Sequence, residues 1–230
     1  MRKYSRASVL NDLTIEAILD RLHHQADRQF GQLLLHYLPK LPRLFTSKGI
    51  RWETTKLDFY NDKYLSIERN QGNFLYLLAR SINAKAIVEY GTSFGISTLY
   101  LATAIRDNGG GIVIGTEIVP EKVVEARKNI ADAGLETFVE ICEGDALQTL
   151  KCLNQTIDMV LIDGWAHLAL DVLKLVDPFV RPGGIVVSDN IGTFKDDMKS
   201  YVEFLQDPVN GYRSTTLPLK DGTEFSVKVR

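Results

Sequence analysis

The stretch that decides the fold is AIVEYGTSFGIST, residues 86–98. It begins with a short β-rich apolar run, passes through a turn that holds Gly91 and Gly95, and continues into a segment with the composition of a helix. Glycines in such a turn let the backbone approach a ligand closely at the carboxyl end of a strand, where open α/β sheets bind ligands. The stretch therefore predicts the first strand, loop and helix of a parallel sheet, with a ligand site at its edge.

The alternation of strand and helix continues along the chain. Further β-rich runs lie at residues 111–118, 138–145, 157–163 and 185–190, with helical stretches between them. Two last runs, 213–219 and 223–229, are separated by a turn that contains Asp221 and Gly222, and an Asp-Gly pair is typical of a tight hairpin. We predict an α/β fold with a Rossmann-like, mostly parallel seven-stranded sheet that ends in an antiparallel hairpin.

The N-terminal part does not follow this alternation. We predict an amphipathic helix over residues 14–37 and another over 74–82, with an irregular, aromatic and basic segment at 38–70 between them. A long irregular segment in a compact chain is typical of a lid or binding loop, and the alternative is a packing or dimerisation extension. We therefore divide the chain into a helical or lid extension, 1–70, and a main domain, 71–230.

Composition narrows the class of protein. The chain has 230 residues and a formal net charge of −2, so no overall basic field attracts nucleic acid or a membrane surface. No apolar run approaches the roughly 20 residues of a membrane helix, and the basic N-terminus lacks the apolar region of a signal peptide. We expect a cytoplasmic protein that binds neither nucleic acid nor membrane, and the long N-terminal helix suggests a homodimer.

Acidic residues follow the next two predicted strands. Glu117 ends the second strand and Asp145 ends the third. In Rossmann-like sites an acid at the end of the second strand accepts hydrogen bonds from ribose hydroxyls, and the base of the ligand lies near the end of the third. The dinucleotide fingerprint Gly-x-Gly-x-x-Gly and a Walker lysine are both missing from the loop at 89–98. The sequence therefore predicts a nucleoside-containing ligand that is not a nicotinamide cofactor.

Taken together, these segments resemble a known family. From residue 66 to 190, and again in the closing segment 217–222, the chain is similar to the catechol and caffeoyl-coenzyme A O-methyltransferases, which are class I S-adenosylmethionine-dependent enzymes that commonly need a divalent cation. The matching segments are QGNFL (71–75), EYGTSFGIS (89–97), TEIVP (116–120), EGDA (143–146), MVLIDGW (159–165), PGG (182–184), SDN (188–190) and LPLKDG (217–222). The resemblance covers about two-thirds of the chain and implies the class I methyltransferase sandwich.

The resemblance also implies a cofactor and a reaction. S-adenosylmethionine is expected to donate a methyl group to a hydroxyl oxygen of a small phenolic or catechol-like acceptor. The cofactor-binding residues that the resemblance implies are Ile67, Glu89, Gly91, Thr92, Ser93, Ser97, Glu117, Asp145, Ala146, Asp163 and Trp165. Two alternatives stay open: a metal-independent methyltransferase for a carboxylate, amine or other hydroxyl, and a non-catalytic protein that binds S-adenosylmethionine.

Three polar residues end the fourth and fifth strands. These are Asp163, Asp189 and Asn190, and two carboxylates with an amide oxygen form a hard oxygen site that suits Mg²⁺. In the resembling family this trio holds the metal, and the metal binds both oxygens of a vicinal diol. The alternative is that Asp163 contacts only the cofactor and that the Asp189–Asn190 pair caps a turn.

One position departs from the family pattern. The family has a lysine general base three residues beyond the strand-four aspartate, and here that position is Ala166. His167 follows directly, and an imidazole titrates near neutral pH, so we predict Asp163 and His167 as the catalytic residues. One residue along a helix turns a side chain by about 100°, so a metal-bound alkoxide or an N-terminal residue are alternatives to His167 as base.

The irregular N-terminal segment is rich in aromatic side chains. Trp52, Phe59, Tyr60 and Tyr64 lie among charged residues, a composition suited to flat hydroxylated rings. We expect this segment to cover the acceptor pocket as a lid.

Overall fold

A computed structural model describes residues 9–38, 61–64 and 67–230. The strands are β1 Ala86–Tyr90, β2 Ile112–Glu117, β3 Val139–Glu143, β4 Ile157–Ile162, β5 Val180–Ser188, β6 Tyr212–Leu217 and β7 Thr223–Lys228. The helices are α1 Leu13–Tyr37, α2 Arg69–Ser81, α3 Ile96–Asp107, α4 Pro120–Asp132, α5 Ala146–Thr149, α6 Ala169–Val176 and α7 Lys195–Gln206. No helix in these three described ranges is long and apolar enough to span a membrane.

The seven strands form one sheet in the order β3-β2-β1-β4-β5-β7-β6. Strands β1 to β5 pair in parallel, and β7 runs antiparallel to both β5 and β6. The predicted seven-stranded α/β fold with a C-terminal antiparallel hairpin is therefore confirmed. The chain order reverses between β1 and β4, and in open α/β sheets ligands bind in the crevice at such a switch point.

Strand β1 is buried along its whole length because helices cover both faces of the sheet. Successive side chains of a strand point to opposite faces. Ile87 accordingly packs in one apolar cluster with Leu99 of α3, and Val88 packs in the other with Leu173 of α6. The sheet is therefore the middle layer of a three-layer sandwich, as the near-continuous apolar runs indicate.

The N-terminal helix belongs to the core of the protein. Ile15, Leu19 and Leu22 of α1 are fully buried in the same cluster as Ile87. Burial of each such side chain contributes about 1.5–3 kcal/mol to stability. Helix α1 therefore packs against α3 in the apolar cluster on one face of the sheet, whereas the sequence left open whether the extension is a lid or a packing element.

Three predicted boundaries were wrong. Helix α2 begins at Arg69, five residues before the predicted start, because Glu68 and Gln71 form a capping box. Between β4 and β5 the pattern predicts one helix over residues 166–179, which in the structure is divided into a 3₁₀ turn, Ala166–Leu168, and the shorter α6. Strand β5 begins at Val180 instead of residue 185, with a register irregularity where it pairs with β4.

Substitution of the buried Gly72 of α2 tests how closely α2 packs against α3. A Cβ at Gly72 would lie 2.2 Å from Cε2 of Tyr100, whose ring is itself buried. Gly72→Ala is expected to lower the free energy of unfolding by about 1–3 kcal/mol, because the ring has to shift in a packed core. Urea denaturation measures this change.

Gly31 on α1 is the matched control for this substitution. No atom of the described residues would lie within 4 Å of a Cβ there, so Gly31→Ala is expected to raise stability by about 0.5–1 kcal/mol through helix propensity. Equal effects of the two substitutions would contradict the packing of α2 against α3.

Candidate functional site

The loop after β1 lies against the end of β4. Gly91 has φ +100°, and a Cβ there would lie 2.7 Å from the backbone oxygen of Asp163. The backbone N–H of Gly91 donates to the carbonyl of Thr116 at 3.2 Å, which ties the loop to β2 as well. Only glycine combines this positive φ with so close an approach, so Gly91 places the loop at the switch point.

Glu89 supports the loop from inside the protein. Its side chain is fully buried, and its Oε2 accepts hydrogen bonds from the hydroxyls of Thr92 at 2.9 Å and Thr98 at 2.5 Å. Burial raises the pKa of the Glu89 carboxyl, while hydroxyl hydrogen bonds from Ser97, Thr98 and Thr92 oppose that rise. Because Oε2 binds one hydroxyl of the loop and one of the following helix α3, Glu89 ties the loop to the start of that helix.

Glu117 holds the other side of the loop. Its Oε2 accepts from the backbone N–H of Ser93 at 2.8 Å, and its Oε1 accepts from the N–H of Val119 at 2.9 Å. Ser93 has φ +49°, a left-handed conformation that this bond helps to hold. A carboxylate oxygen accepts more than one hydrogen bond, so Glu117 retains acceptor capacity for a ligand.

A pocket opens beside this loop. Six of the predicted cofactor residues line it, and three further residues that were not predicted as cofactor ligands complete the wall. The lining residues are Ile67, Gly91, Thr92, Ser93, Ser97 and Asp163, together with Tyr64, Phe94 and Ile96. The structure thus brings the loop, the end of β4 and the described part of the N-terminal segment to one pocket.

An aromatic stack forms part of the pocket wall. The rings of Tyr64 and Phe94 are 3.9 Å apart between centroids and nearly parallel at 13°. Helix α1 holds Tyr64: the Tyr64 hydroxyl donates to Oε1 of Gln25 at 2.8 Å, and its backbone N–H donates to Oε1 of Gln29 at 2.9 Å. Sequence reasoning placed Tyr64 in a lid over the acceptor and did not single out Phe94, whose apolar ring in a glycine-containing loop was the available signal.

The remaining lid aromatics, Trp52, Phe59 and Tyr60, lie outside the described residues. The lid itself stays a prediction.

The other predicted cofactor residues lie at neighbouring strand ends. Asp145 is exposed after β3 and caps α5 by accepting from the N–H of Leu147 at 2.9 Å, and Ala146 next to it is buried. Trp165 is half-buried after β4, and its carbonyl accepts a bond from the hydroxyl of Tyr90 at 3.4 Å. The predicted positions therefore lie at or just after strand ends along one edge of the sheet, apart from Ile67, which precedes α2, and Ser97, which lies in the first turn of α3.

The three predicted metal ligands meet at the ends of β4 and β5. Nδ2 of Asn190 donates to Oδ1 of Asp163 at 3.1 Å. Asp189 is buried, and its Oδ1 accepts a bond from Nε2 of Gln71 on α2 at 2.7 Å. Burial raises the pKa of the Asp163 carboxyl well above its usual value, and the charge of Asp189 adds to the rise. The structure thus holds two carboxyl groups close enough to repel one another.

Two further side chains at this site were missed from the sequence. Nζ of Lys220, in the turn between β6 and β7, donates to Oδ2 of Asp189 at 3.3 Å. Asp221 beside it has a buried Oδ1 with no hydrogen-bond partner within the part of the chain that the structure describes. Neither residue follows a parallel strand, so the strand-end argument did not find them.

His167 is exposed on the 3₁₀ turn that follows Asp163, whereas Ala166 is buried. Among the described residues no group of three or more His, Cys, Asp or Glu side chains is arranged to hold a metal ion. The predicted metal ligands Asp163, Asp189 and Asn190 are not a group of this kind, because Asn190 offers an amide oxygen.

Comparisons with known proteins match this geometry. Residues 88–191 match the family described as a methyltransferase domain. The chain is 37% identical over 131 residues to a catechol O-methyltransferase from Niastella koreensis, covering 55% of this chain and 58% of that protein. It is 34% identical over 128 residues to a catechol O-methyltransferase from Mycobacterium tuberculosis, covering 55% and 57%. The chain therefore aligns with less than two-thirds of the length of these relatives.

A solved structure shares the fold over a longer range. The O-methyltransferase from Bacillus cereus, in complex with SAH (S-adenosylhomocysteine), has a TM-score of 0.66 at 25% identity, with 74% of this chain and 86% of that chain covered. The loop, the strand-end acids and these likenesses point the same way: residues 88–191 match a methyltransferase domain, and the chain is similar to catechol O-methyltransferases and to an SAH-bound O-methyltransferase.

Proposed function

We propose that the protein transfers a methyl group from S-adenosylmethionine to a hydroxyl oxygen of a small phenolic or catechol-like acceptor. One observation carries the proposal: the glycine loop and Asp163 line the same pocket, with Gly91 packed against the backbone of Asp163. A cofactor on the loop would therefore lie next to Asp163, one of the carboxylates that we expect to receive the acceptor. The catechol O-methyltransferase relatives and the SAH-bound neighbour support this assignment.

The loop and two strand ends would hold the cofactor. Glu117 accepts the ribose hydroxyls with its remaining acceptor capacity, and Asp145 with Ala146 lies where the adenine is expected. Gly91 and Ser93 bring backbone close to the ligand, with Thr92 and Ser97 beside them in the loop. Ile67 and Trp165 supply apolar surface, and Glu89 acts through the loop that it fixes, because its carboxyl already accepts bonds from loop hydroxyls.

Asp163, Asp189 and Asn190 would hold a divalent cation such as Mg²⁺. The donor set fits the ion: carboxylate and amide oxygens are its preferred ligands, the carboxyl groups of Asp163 and Asp189 repel one another, and the buried Oδ1 of Asp221 nearby is unpartnered among the described residues. Such an ion, when bound, lowers the pKa of a coordinated hydroxyl and fixes its oxygen.

Methyl transfer would require a base from the chain to take the proton of the acceptor hydroxyl. The acceptor oxygen forms a bond to the methyl carbon as the carbon–sulfur bond breaks, and the electron pair of that bond stays on sulfur, which leaves S-adenosylhomocysteine. The acceptor proton passes to a base, for which His167, exposed just after Asp163, is the candidate. The lid, the homodimer and the cytoplasmic location stay predictions from the sequence.

The ribose contact makes the first prediction of this proposal. Glu117→Ala is expected to weaken S-adenosylhomocysteine binding by about 1–3 kcal/mol, because ribose hydroxyls and the N–H of Ser93 lose their acceptor. Isothermal titration calorimetry measures the affinity. Glu143 is the matched control: it pairs in register with Glu117 on β3 but is exposed, so Glu143→Ala is expected to leave binding unchanged. Unchanged affinity in Glu117→Ala would remove Glu117 from the cofactor site.

The second prediction concerns the metal. Turnover of a panel of catechols is expected to be lost after chelation and restored by Mg²⁺, while binding of S-adenosylhomocysteine is unaffected. Asp189→Asn is expected to weaken Mg²⁺ binding by about 10- to 100-fold, because one ligand charge is removed. Full turnover after exhaustive chelation would favour the metal-independent alternative. Cofactor binding without methylation of any acceptor would favour a non-catalytic binding protein.

A further inference from the structure

Lys220 directs its side chain at the carboxylate site. Its Nζ lies 3.3 Å from Oδ2 of Asp189. The Lys220 side chain is 29% exposed and that of Asp189 is 3% exposed, so this ion pair is largely shielded from water. An ion pair in such a setting is screened less by salt and water than a surface pair.

The backbone holds Lys220 in this place. Lys220 has φ +53°, a left-handed conformation that glycine adopts without steric cost and that lysine rarely adopts. The neighbouring turn is clamped to the loop after Asn190: the N–H of Ile191 donates to the carbonyl of Gly222 at 3.3 Å, and the N–H of Thr193 donates to Oδ2 of Asp221 at 3.1 Å. The turn therefore carries the lysine to the strand end that holds Asp189.

The ammonium occupies an oxygen that a metal would need. Of the two carboxylate oxygens of Asp189, Oδ1 accepts from Gln71 and Oδ2 accepts from Lys220. Lys220 also interacts electrostatically with Asp163 and Asp221, so its one positive charge faces three carboxyl groups. A cation that approached Asp189 would meet both a positive charge and an oxygen that already accepts a hydrogen bond.

We propose that the Lys220 ammonium is the resident counter-charge of the Asp163–Asp189 pair and that a divalent cation binds there only by displacing it. The proposal rests on the metal site of the proposed function and adds a competitor for that site from this chain. It makes the metal affinity lower than the same ligands would have alone. It also couples metal entry to a movement of the Lys220 side chain away from Asp189.

The decisive experiment measures metal binding without turnover. Mn²⁺ is titrated into the full chain, and free Mn²⁺ is followed by electron paramagnetic resonance for the wild type and for Lys220→Gly. Glycine suits the left-handed φ of the turn, so this substitution removes the ammonium and keeps the backbone conformation. The variant is expected to bind Mn²⁺ roughly tenfold more tightly or better, because a positive charge beside the ligands is gone.

Two controls separate this effect from a general change of charge or fold. Lys199→Ala removes one positive charge from the surface of α7, where the side chain is 71% exposed, and is expected to leave Mn²⁺ affinity unchanged. Lys220→Gln repeats the loss of charge with a side chain of similar length, in case glycine loosens the turn. Calorimetry with S-adenosylhomocysteine on the same samples reports whether the cofactor site is intact.

Three results would overturn the proposal. Mn²⁺ affinity equal to or below that of the wild type in both Lys220 variants would make Lys220 a structural ion pair that only tethers the hairpin. An equal gain in Mn²⁺ affinity in Lys199→Ala would show that the loss of any positive charge on the protein has this effect. Absence of Mn²⁺ binding in wild type and variants alike would remove both the competitor and the metal site, while methyl transfer itself is judged separately by turnover and cofactor binding.

Discussion

The close approach of Gly91 to the backbone of Asp163 is the constraint on which the site depends. Strands β1 and β4 are neighbours in the sheet, although 66 residues separate Tyr90 at the end of β1 from Ile157 at the start of β4. The intervening residues include β2, β3 and their connecting helices. Because the chain order reverses between these strands, the segments that follow them diverge and leave a crevice. A side chain at Gly91 would fill the place where the loop and Asp163 meet.

Carboxylates at this edge of the sheet fall into two groups with different partners. Glu89 accepts a hydrogen bond from a loop hydroxyl, and Glu117 accepts one from a backbone N–H of the loop. These two carboxylates therefore hold the loop in its conformation. Asp163 instead accepts a hydrogen bond from the amide of Asn190, and Asp189 accepts one from the ammonium of Lys220. The first group shapes a pocket for a ligand. The second group is a pair of negative charges, and in this structure the ammonium of Lys220 partly neutralises them.

Much of this arrangement was predictable because parallel strands end at a common edge. The strand-end rule located Glu117, Asp163 and Asp189 without knowledge of any contact, since each ends an apolar run. The rule did not predict the two partners of Asp189. Lys220 lies in an antiparallel hairpin 31 residues after Asp189, and Gln71 lies in α2, 118 residues before Asp189. Helix boundaries failed for a local reason: the capping box at Glu68 and Gln71 starts α2 before its first apolar residues.

The sequence by itself determined the fold class, the succession of strands and helices along the chain and the identity of the acids at the strand ends. These features follow from the local periodicity of apolar residues and from the turn residues. Tertiary structure alone decided which groups neutralise those acids. A hydrogen bond or ion pair depends on distances of a few ångströms between segments that are remote in the chain, and the left-handed turn at Lys220 has no signature in the apolar pattern. The register between β5 and β7 and the clamp of the β6–β7 turn onto the loop after Asn190 set those distances.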